Sequence, residues 1–314
     1  MVRLDDENHL SWANMGSVHL RAGRHDSAYH CFRSALRHKR SEWRLWENYV
    51  MAAYESARLD DAMAGLHELL GMYHKHKRLD VQTLALLVRD ITGGGQGQVS
   101  RVLRRARSRS RLQHICCSLR NHPLTTSPPL PPPPSSAVPC ASSRVPQAPE
   151  DSWALMAPAT RDARRERLAK LLARSTSVAR TDYRLWDVCA VFREAIGEPQ
   201  KALDCRLKQC RSLQGASSAW RTERKAFERV GKATLATAQL YLGIADEAAA
   251  AAVSAGAAGS GGGASAAAAK LRECRFFVEG VVNKASAEHV GETEMYATLG
   301  ALLADVKARE KAGR

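Results

Sequence analysis

Residues 12–35 read WANMGSVHLRAGRHDSAYHCFRSA, and this stretch decides the fold. Bulky and small residues stand at fixed offsets on either side of a glycine break: Trp12, Met15, Gly16, Gly23, Ala28, Phe32 and Ala35. Small residues where two helices cross let the backbones approach, and aromatic side chains fill the volume beside them. The stretch therefore predicts two helices that pack against each other across the turn at Gly23.

The pattern recurs thirty-four residues later, with Trp46, Tyr49, Ala62, Leu66 and Leu69. That period is typical of the tetratricopeptide repeat, a helix-turn-helix unit that buries its apolar face only by stacking on its neighbours. Helices are predicted at about residues 9–21, 25–38, 41–56, 59–73 and 79–91. The sequence thus predicts an all-α fold, an α-solenoid of tetratricopeptide repeats with a disordered insertion.

A degenerate copy follows much later in the chain. Arg-Leu-Trp-Asp at residues 184–187 repeats Arg-Leu-Trp-Glu at residues 44–47. With Trp186 at the bulky position, Gly197 falls at the turn and Ala202 on the second helix. Arg206 then stands where the first copy has phenylalanine. We therefore predict one more, degenerate repeat in this region.

Composition divides the rest of the chain. Glycine ends the first block at residues 93–95, and the run PPLPPPP at residues 128–134 cannot bury a core. Ala and Gly fill residues 248–269, which have too few large apolar side chains for a membrane span. The predicted order is repeats over 1–95 (about 9–42, 43–76 and the start of a third), a basic and then Pro/Ser-rich disordered insertion over 96–160, degenerate repeat-like helices over 161–247, an Ala/Gly linker over 248–269 and C-terminal helices over 270–314.

The formal charge is +15, and most of it lies in the middle of the chain. The basic patch consists of Arg101, Arg104, Arg105, Arg107, Arg109 and Arg111. Alternating Arg and Ser can neutralise phosphates, so contact with nucleic acid is an alternative function. No aromatic residue is interleaved to stack on bases, which disfavours that alternative. A solvated basic linker or a nuclear-targeting patch remains open.

Residues that could support catalysis or hold a cofactor or metal are not arranged in known motifs. The eight cysteines include no Cys-x-x-Cys pair, and no signal-peptide pattern follows Met1. We therefore expect reduced thiols in an intracellular, cytoplasmic protein, and a nuclear location also remains open. His74 and His76 lie about 200° apart on a helix and cannot share an ion. We expect no enzyme activity, no cofactor, no metal, no membrane insertion and no small-molecule substrate.

A family resemblance rests on several short segments. The most specific is Trp-Arg-Leu-Trp-Glu-Asn-Tyr at residues 43–49, together with Val-Gln-Thr-Leu at 81–84 and Leu-Val-Arg at 87–89. Arg-Leu-Trp at 184–186 and Ala-Trp at 219–220 continue it. The chain resembles the C-terminal part of the tetratricopeptide repeat protein 27 family, which in fungi is the protein essential for maintenance of the cell wall. The resemblance implies a non-enzymatic scaffold for cell-wall integrity or for chaperone-assisted assembly of large complexes.

Protein partners are the expected ligands, bound as an extended peptide or a helix in the concave groove that first helices line. The groove candidates are Ser17, Asn48, Met51, Arg78, Gln82 and Arg89. For each of them a solvated polar face without a ligand remains open. A carboxylate clamp, which holds acidic chaperone tails in some of these proteins, would use Ala13, Ser17, Asn48, Arg78 and Gln82. Only Asn48 and Arg78 suit that role, so we expect no clamp.

Overall fold

The computed structural model describes residues 8–77, 79–93, 158–254 and 262–312. All regular secondary structure in these ranges is helical, so the predicted all-α class is confirmed. The residues form two compact units. Unit 1 lies within residues 1–77 and 89–171, and unit 2 within residues 78–88 and 172–314.

Thirteen α-helices lie in the described ranges, and two of them, α6 and α7, contribute residues to both units. In chain order they are α1 His9–Arg21, α2 His25–His38, α3 Trp43–Glu55, α4 Leu59–Gly71, α5 Tyr73–His76, α6 Val81–Thr92, α7 Pro158–Val178, α8 Tyr183–Ala195, α9 Pro199–Ala216, α10 Arg224–Ser254, α11 Gly262–Val282, α12 Ala287–Val290 and α13 Glu294–Ala312. A short 3₁₀ helix, Ser218–Arg221, precedes α10.

The first repeat consists of α1 and α2, which begin and end where the sequence predicts. Asn8 caps α1, since its side chain accepts a hydrogen bond from the Leu10 amide at 3.0 Å. Gly23 makes the turn at φ +71°, a conformation that glycine adopts without strain. Gly16 lies directly beneath the Phe32 ring, and a Cβ there would come within 2.9 Å of a ring carbon. The helices can cross closely because Gly16 has no side chain.

The second repeat consists of α3 and α4, and these helices also cross closely, but through different residues. Val50 stands where the first repeat has Gly16, and its partner helix has Gly65 at the contact. A Cβ on Gly65 would lie 2.6 Å from a Val50 methyl carbon. The larger residue on the first helix therefore requires glycine on the second.

The repeat-core residues are placed as their pattern requires. Ala28, Phe32, Ala35, Ala62 and Ala202 have no exposed surface. Trp46 is 7% exposed, and its indole N–H donates to the Arg40 carbonyl at 2.8 Å. Trp186 makes the same bond to the Arg180 carbonyl at 2.7 Å, although Trp186 and Trp12 are only half-buried. Each bond ties the first helix to the turn before it.

A four-residue helix, α5, interrupts the period after the second repeat. The prediction ran the preceding helix to residue 73, whereas α4 ends at Gly71 and α5 occupies Tyr73–His76. Lys77 then turns the chain at φ +49°. The His76 ring stacks on Trp43 at a centroid distance of 5.1 Å, which holds this extra turn against α3.

The helix α7 occupies the place of a second helix in a third repeat. It ends at residue 178, five positions before α8 begins at 183, just as α2 ends at 38 and α3 begins at 43. Arg164 and Arg167 of α7 pair with Asp60 in the first turn of α4, at 3.0 and 3.1 Å. The spacing of α7 before α8 is thus that of a second helix before the next first helix.

Unit 2 contains the degenerate repeat and a C-terminal core. Gly197 makes the turn between α8 and α9 at φ +76°, as Gly23 does in the first repeat. The core joins α9, the 3₁₀ helix, α10, α11, α12 and α13 through buried apolar side chains, among them Leu203, Trp220, Phe227, Tyr241, Cys274, Val278, Val290, Leu299 and Val306. Gly231 of α10 allows Met295 to approach closely.

Two predicted segment boundaries need correction, and other predictions lie outside the described residues. The Ala/Gly linker predicted over 248–269 is helical up to Ser254 and again from Gly262, because alanine has the highest helix propensity. The insertion predicted over 96–160 ends early, since α7 begins at Pro158. The basic patch at residues 101–111 and residues 255–261 lie outside the described residues.

Candidate functional site

The predicted groove residues divide between the two units. Ser17, Met51 and Arg89 are each the ninth residue of a first helix, in α1, α3 and α6. Ser17 is half-buried and donates to the Ala13 carbonyl at 2.9 Å. Asn48 is only 8% exposed, which leaves little of it for a ligand. Gln82 is exposed and belongs to unit 2, and Arg78 lies outside the described residues.

The helix α5 shifts the register that the sequence predicted for the third repeat. The first helices α3 and α6 begin at residues 43 and 81, a spacing of 38 rather than 34. Gln82 is therefore equivalent to Arg44, and Leu86 is equivalent to Asn48. In this register Gln82 does not lie at the position of Asn48, and Arg78 lies outside the described residues, so the absence of a clamp stays a prediction. At the corrected positions neither Gln82 nor Leu86 is basic.

A cavity of about 410 Å³ opens between the start of α6 and α8 in unit 2. We call it the first pocket. Its lining residues are Leu79, Asp80, Val81, Gln82, Ala85, Arg184, Asp187 and Val188. Gln82 and Arg184 are the second residues of their helices, and Ala85 and Asp187 the fifth. Equivalent positions of neighbouring first helices thus form one concave surface.

The N-terminal caps of these helices set the polar side chains of the first pocket. Asp80 accepts the Thr83 amide at 3.0 Å, so its carboxylate is fixed at the start of α6. Asp182 caps α8 and also binds the Arg184 guanidinium through both oxygens, at 3.2 and 3.0 Å. This hydrogen-bonded pair raises the pKa of Arg184. Arg184 is therefore a protonated donor at the rim of the first pocket, and Asp182 fixes its orientation and balances its charge.

A second cavity, of about 280 Å³, lies at the other end of α8. We call it the second pocket. Its lining residues are Glu194, Pro199, Arg206, Ala236, Gln239, Leu240, Gly243, Ile244 and Glu247. Most of them lie on one face of α10, so α10 takes the place of the next first helix along this surface.

Arg206 links the two pockets from beneath. It is 7% exposed and replaces the phenylalanine of the first repeat. Its guanidinium binds Asp187 on one side and Glu194 on the other, the latter at 3.1 Å. Gln209 accepts from Arg206 at 3.1 Å and donates to Asp187 at 3.2 Å. The network fixes one carboxylate at each pocket.

Metal-ligating and thiol side chains in the described residues form no further site that these observations identify. No group of three or more His, Cys, Asp or Glu in these residues could hold a metal ion. The described cysteines are free, and burial raises the pKa of Cys189 to about 12 and of Cys274 to about 11. Such thiols are poor nucleophiles near neutral pH. No helix among the described residues is long and apolar enough to cross a membrane.

Gln82 is the one lining residue of this surface that belongs to the predicted groove candidates. Arg184 and Asp187 belong to the repeated Arg-Leu-Trp-Asp segment, and their equivalence to Arg44 and Glu47 was a signal for first-helix groove positions. No sequence pattern indicated that Glu194 and Glu247 line one pocket, because their proximity depends on how α8 packs against α10.

No family model matches the chain. A TPR repeat-containing protein of Schizosaccharomyces pombe is 29% identical over 87 residues, 26% of this chain and 11% of that protein. The Essential for maintenance of the cell wall protein 1 of Saccharomyces cerevisiae is 26% identical over 72 residues, 23% of this chain and 8% of that protein. The matched part thus spans about a tenth of the length of either relative.

Two solved structures match the chain at low sequence identity and at TM-scores below 0.5. The TPR2AB-domain:pHSP90 complex of yeast Sti1 is 13% identical with a TM-score of 0.21, covering 95% of this chain and 98% of that chain. The P58(IPK) TPR domain is 14% identical with a TM-score of 0.24, covering 98% and 84%. The helix pairs, their thirty-four-residue spacing and the two sequence relatives together support tetratricopeptide repeats in this chain.

Proposed function

We propose that the chain is a non-enzymatic scaffold that binds segments of partner proteins along the surface formed by α6, α8 and α10 in unit 2. The observation that carries the proposal is the first pocket, where equivalent residues of neighbouring first helices open into one cavity of about 410 Å³. Exposed Gln82 and Arg184 offer polar groups at its rim, and Ala85 and Val188 offer an apolar floor. Concave surfaces of this kind bind extended peptides or helices. The proposal requires no cofactor.

The biological setting is part of the same proposal. The resemblance noted in the sequence and the name of the Saccharomyces cerevisiae relative favour maintenance of the cell wall or growth, or chaperone-assisted assembly of large complexes. We propose a cytoplasmic location, with the nucleus as the alternative. Imaging a fluorescently tagged chain in cells tests the location.

Affinity purification of the tagged full chain, with and without nuclease and at two salt concentrations, tests the function. The matched variants are Ala85→Trp, which fills the first pocket from an exposed position, and Ala173→Trp, at an exposed position of the second helix α7. We expect protein partners that survive nuclease and the higher salt, that are lost with Ala85→Trp and retained with Ala173→Trp.

Two outcomes contradict the proposal. If Ala85→Trp and the unchanged chain recover the same partners, the groove does not bind them. If recovery consists of RNA, collapses with salt and needs only residues 101–111, the alternative of nucleic-acid contact through the Arg/Ser segment is correct.

A further inference from the structure

Carboxylates dominate the second pocket. Glu194 and exposed Glu247 line it, and Arg206 is the cation among its lining residues. Arg206 is already engaged by Asp187 as well as by Glu194. Two carboxylates and one guanidinium thus line the pocket, and the lining carries one net negative charge. A cationic group entering the pocket would be attracted, and an anionic group would be repelled.

The shape of the second pocket suits a long side chain with an apolar stem. Leu240 and Ile244 of α10 provide apolar surface, and Gly243 between them leaves the wall open, since a Cβ there would meet nothing within 4 Å. At about 280 Å³ the cavity is at or below the lower limit of about 300 Å³ for pockets that hold whole small molecules. Arginine and lysine combine an aliphatic stem with a charged tip. The volume therefore fits one such side chain.

The two pockets lie along the same helix, which sets a spacing for the ligand. Asp187 and Glu194 are seven residues apart on α8, or roughly 10 Å along its axis. Val191 lies on the same stripe between them and is 41% exposed. An extended peptide advances about 3.3 Å per residue, so about three residues span that distance.

We propose that the second pocket binds an arginine or lysine side chain of an extended partner segment, about three residues from the side chain that enters the first pocket. This deepens the proposed function and rests on it. The carboxylates of Glu194 and Glu247 receive the cationic tip, and the Leu240 and Ile244 side chains cover its stem. The partner class is a basic peptide segment, opposite in charge to an acidic tail.

Selection from a random nine-residue peptide library displayed on phage, with the immobilised full chain as bait, tests the proposal. Peptides from the unchanged chain should be enriched in a basic residue about three positions from an apolar one. Glu247→Gln should weaken binding of a selected synthetic peptide about tenfold, and Glu247→Lys should reverse the selection toward acidic residues. Glu228→Gln, at an exposed position of α10 outside the lining, is the matched charge control and should leave binding unchanged.

A second pair of variants tests the pocket's volume without loss of folding. Gly243→Leu fills the cavity from a position where an added Cβ has free space, and should abolish the basic preference. Gly300→Leu, on exposed α13 with equally free space, should keep it. Circular dichroism of each variant should show unchanged helicity.

The outcomes separate this proposal from the function on which it rests. Peptides that need Ala85 but show no charge preference, or that prefer acidic residues, overturn the basic-segment proposal and leave the scaffold function standing. If no selected peptide is sensitive to Ala85→Trp or Gly243→Leu, both the scaffold groove and its basic ligand are refuted.

Discussion

Replacing Gly16 with alanine probes the contact that defines the first repeat. A Cβ at this position would lie 2.9, 3.0 and 3.1 Å from three ring carbons of Phe32, closer than such atoms ordinarily approach. Phe32 has no exposed surface, so its ring cannot move into solvent. Alanine would otherwise stabilise a helix, since it has a higher helix propensity than glycine. The two effects oppose each other, and their magnitudes decide the sign.

Overpacking a filled core costs up to about 3 kcal/mol, and the gain in helix propensity is about 1 kcal/mol. We therefore expect Gly16→Ala to lower the free energy of unfolding by about 2 kcal/mol. Phe32→Leu alone should cost about 1.5 kcal/mol, less than the 3–5 kcal/mol of full truncation. In the double variant the leucine leaves space for the new methyl. Only the gain in helix propensity then remains, so its cost should be about 0.5 kcal/mol instead of the additive 3.5, a coupling energy of about 3 kcal/mol.

Urea unfolding of the four chains, followed by circular dichroism and tryptophan fluorescence, measures these differences. Gly300→Ala is the matched control, because its Cβ would have free space, and it should stabilise by about 1 kcal/mol. Coincidence of the two probes shows whether one transition is being observed. Additive costs within about 0.5 kcal/mol would refute the claim that the Gly16–Phe32 approach decides the packing of α1 on α2.

Three other changes test the fold. Ala57 occupies the turn between α3 and α4 at φ +59°, so Ala57→Gly should raise the free energy of unfolding by about 1 kcal/mol in the same urea assay, and a decrease would contradict the strain. Arg206→Leu leaves the partly exposed carboxylates of Asp187 and Glu194 without their cation and should cost about 1 kcal/mol. Most of that cost should return when both carboxylates become amides, and no recovery would contradict the network. Burial raises the pKa of Cys189 to about 12, so the contribution of this thiol to stability is full below pH 9 and declines as pH rises toward 12. Alkylation of Cys189 at pH 8, measured by mass spectrometry, should therefore require denaturant. Rapid labelling of the native chain would refute its burial.

Local patterns predicted much of the fold, because the residues that decide it are close in sequence. The helices α1 and α2 begin and end at the predicted residues, since Asn8, Gly23 and the periodic core act within one repeat. The extra turn α5 escaped prediction because its stability comes from His76 stacking on Trp43, a contact across 33 residues. The two ends of the predicted linker are helical because the high helix propensity of alanine outweighs the low propensity of the Gly and Ser residues there.

The candidate site was less predictable, because it depends on register and on contacts between repeats. A shift of four residues after α5 places Gln82 at the position of Arg44 instead of Asn48, whereas Arg89 matches Ser17 and Met51 in the observed register. The second pocket could not be predicted from local patterns either, because Glu194 and Glu247 are 53 positions apart in the sequence. The sequence shows Arg206 as a departure from the repeat pattern, in the place of phenylalanine, but it does not predict the ion pairs of Arg206 with Asp187 and Glu194.

That departure shows how a degenerate repeat can hold charged groups on its first-helix surface. In the first repeat a glycine on the first helix admits a phenylalanine from the second, and in the second repeat Val50 requires Gly65. The degenerate repeat keeps a small first-helix residue, Ala190, but has a charged side chain in the place of the phenylalanine. A buried guanidinium persists only with partners, so Asp187 and Glu194 are held on the first-helix surface. The loss of the consensus aromatic residue therefore fixes carboxylates where a ligand can reach them, and the same substitution that weakens the repeat pattern organises the groove.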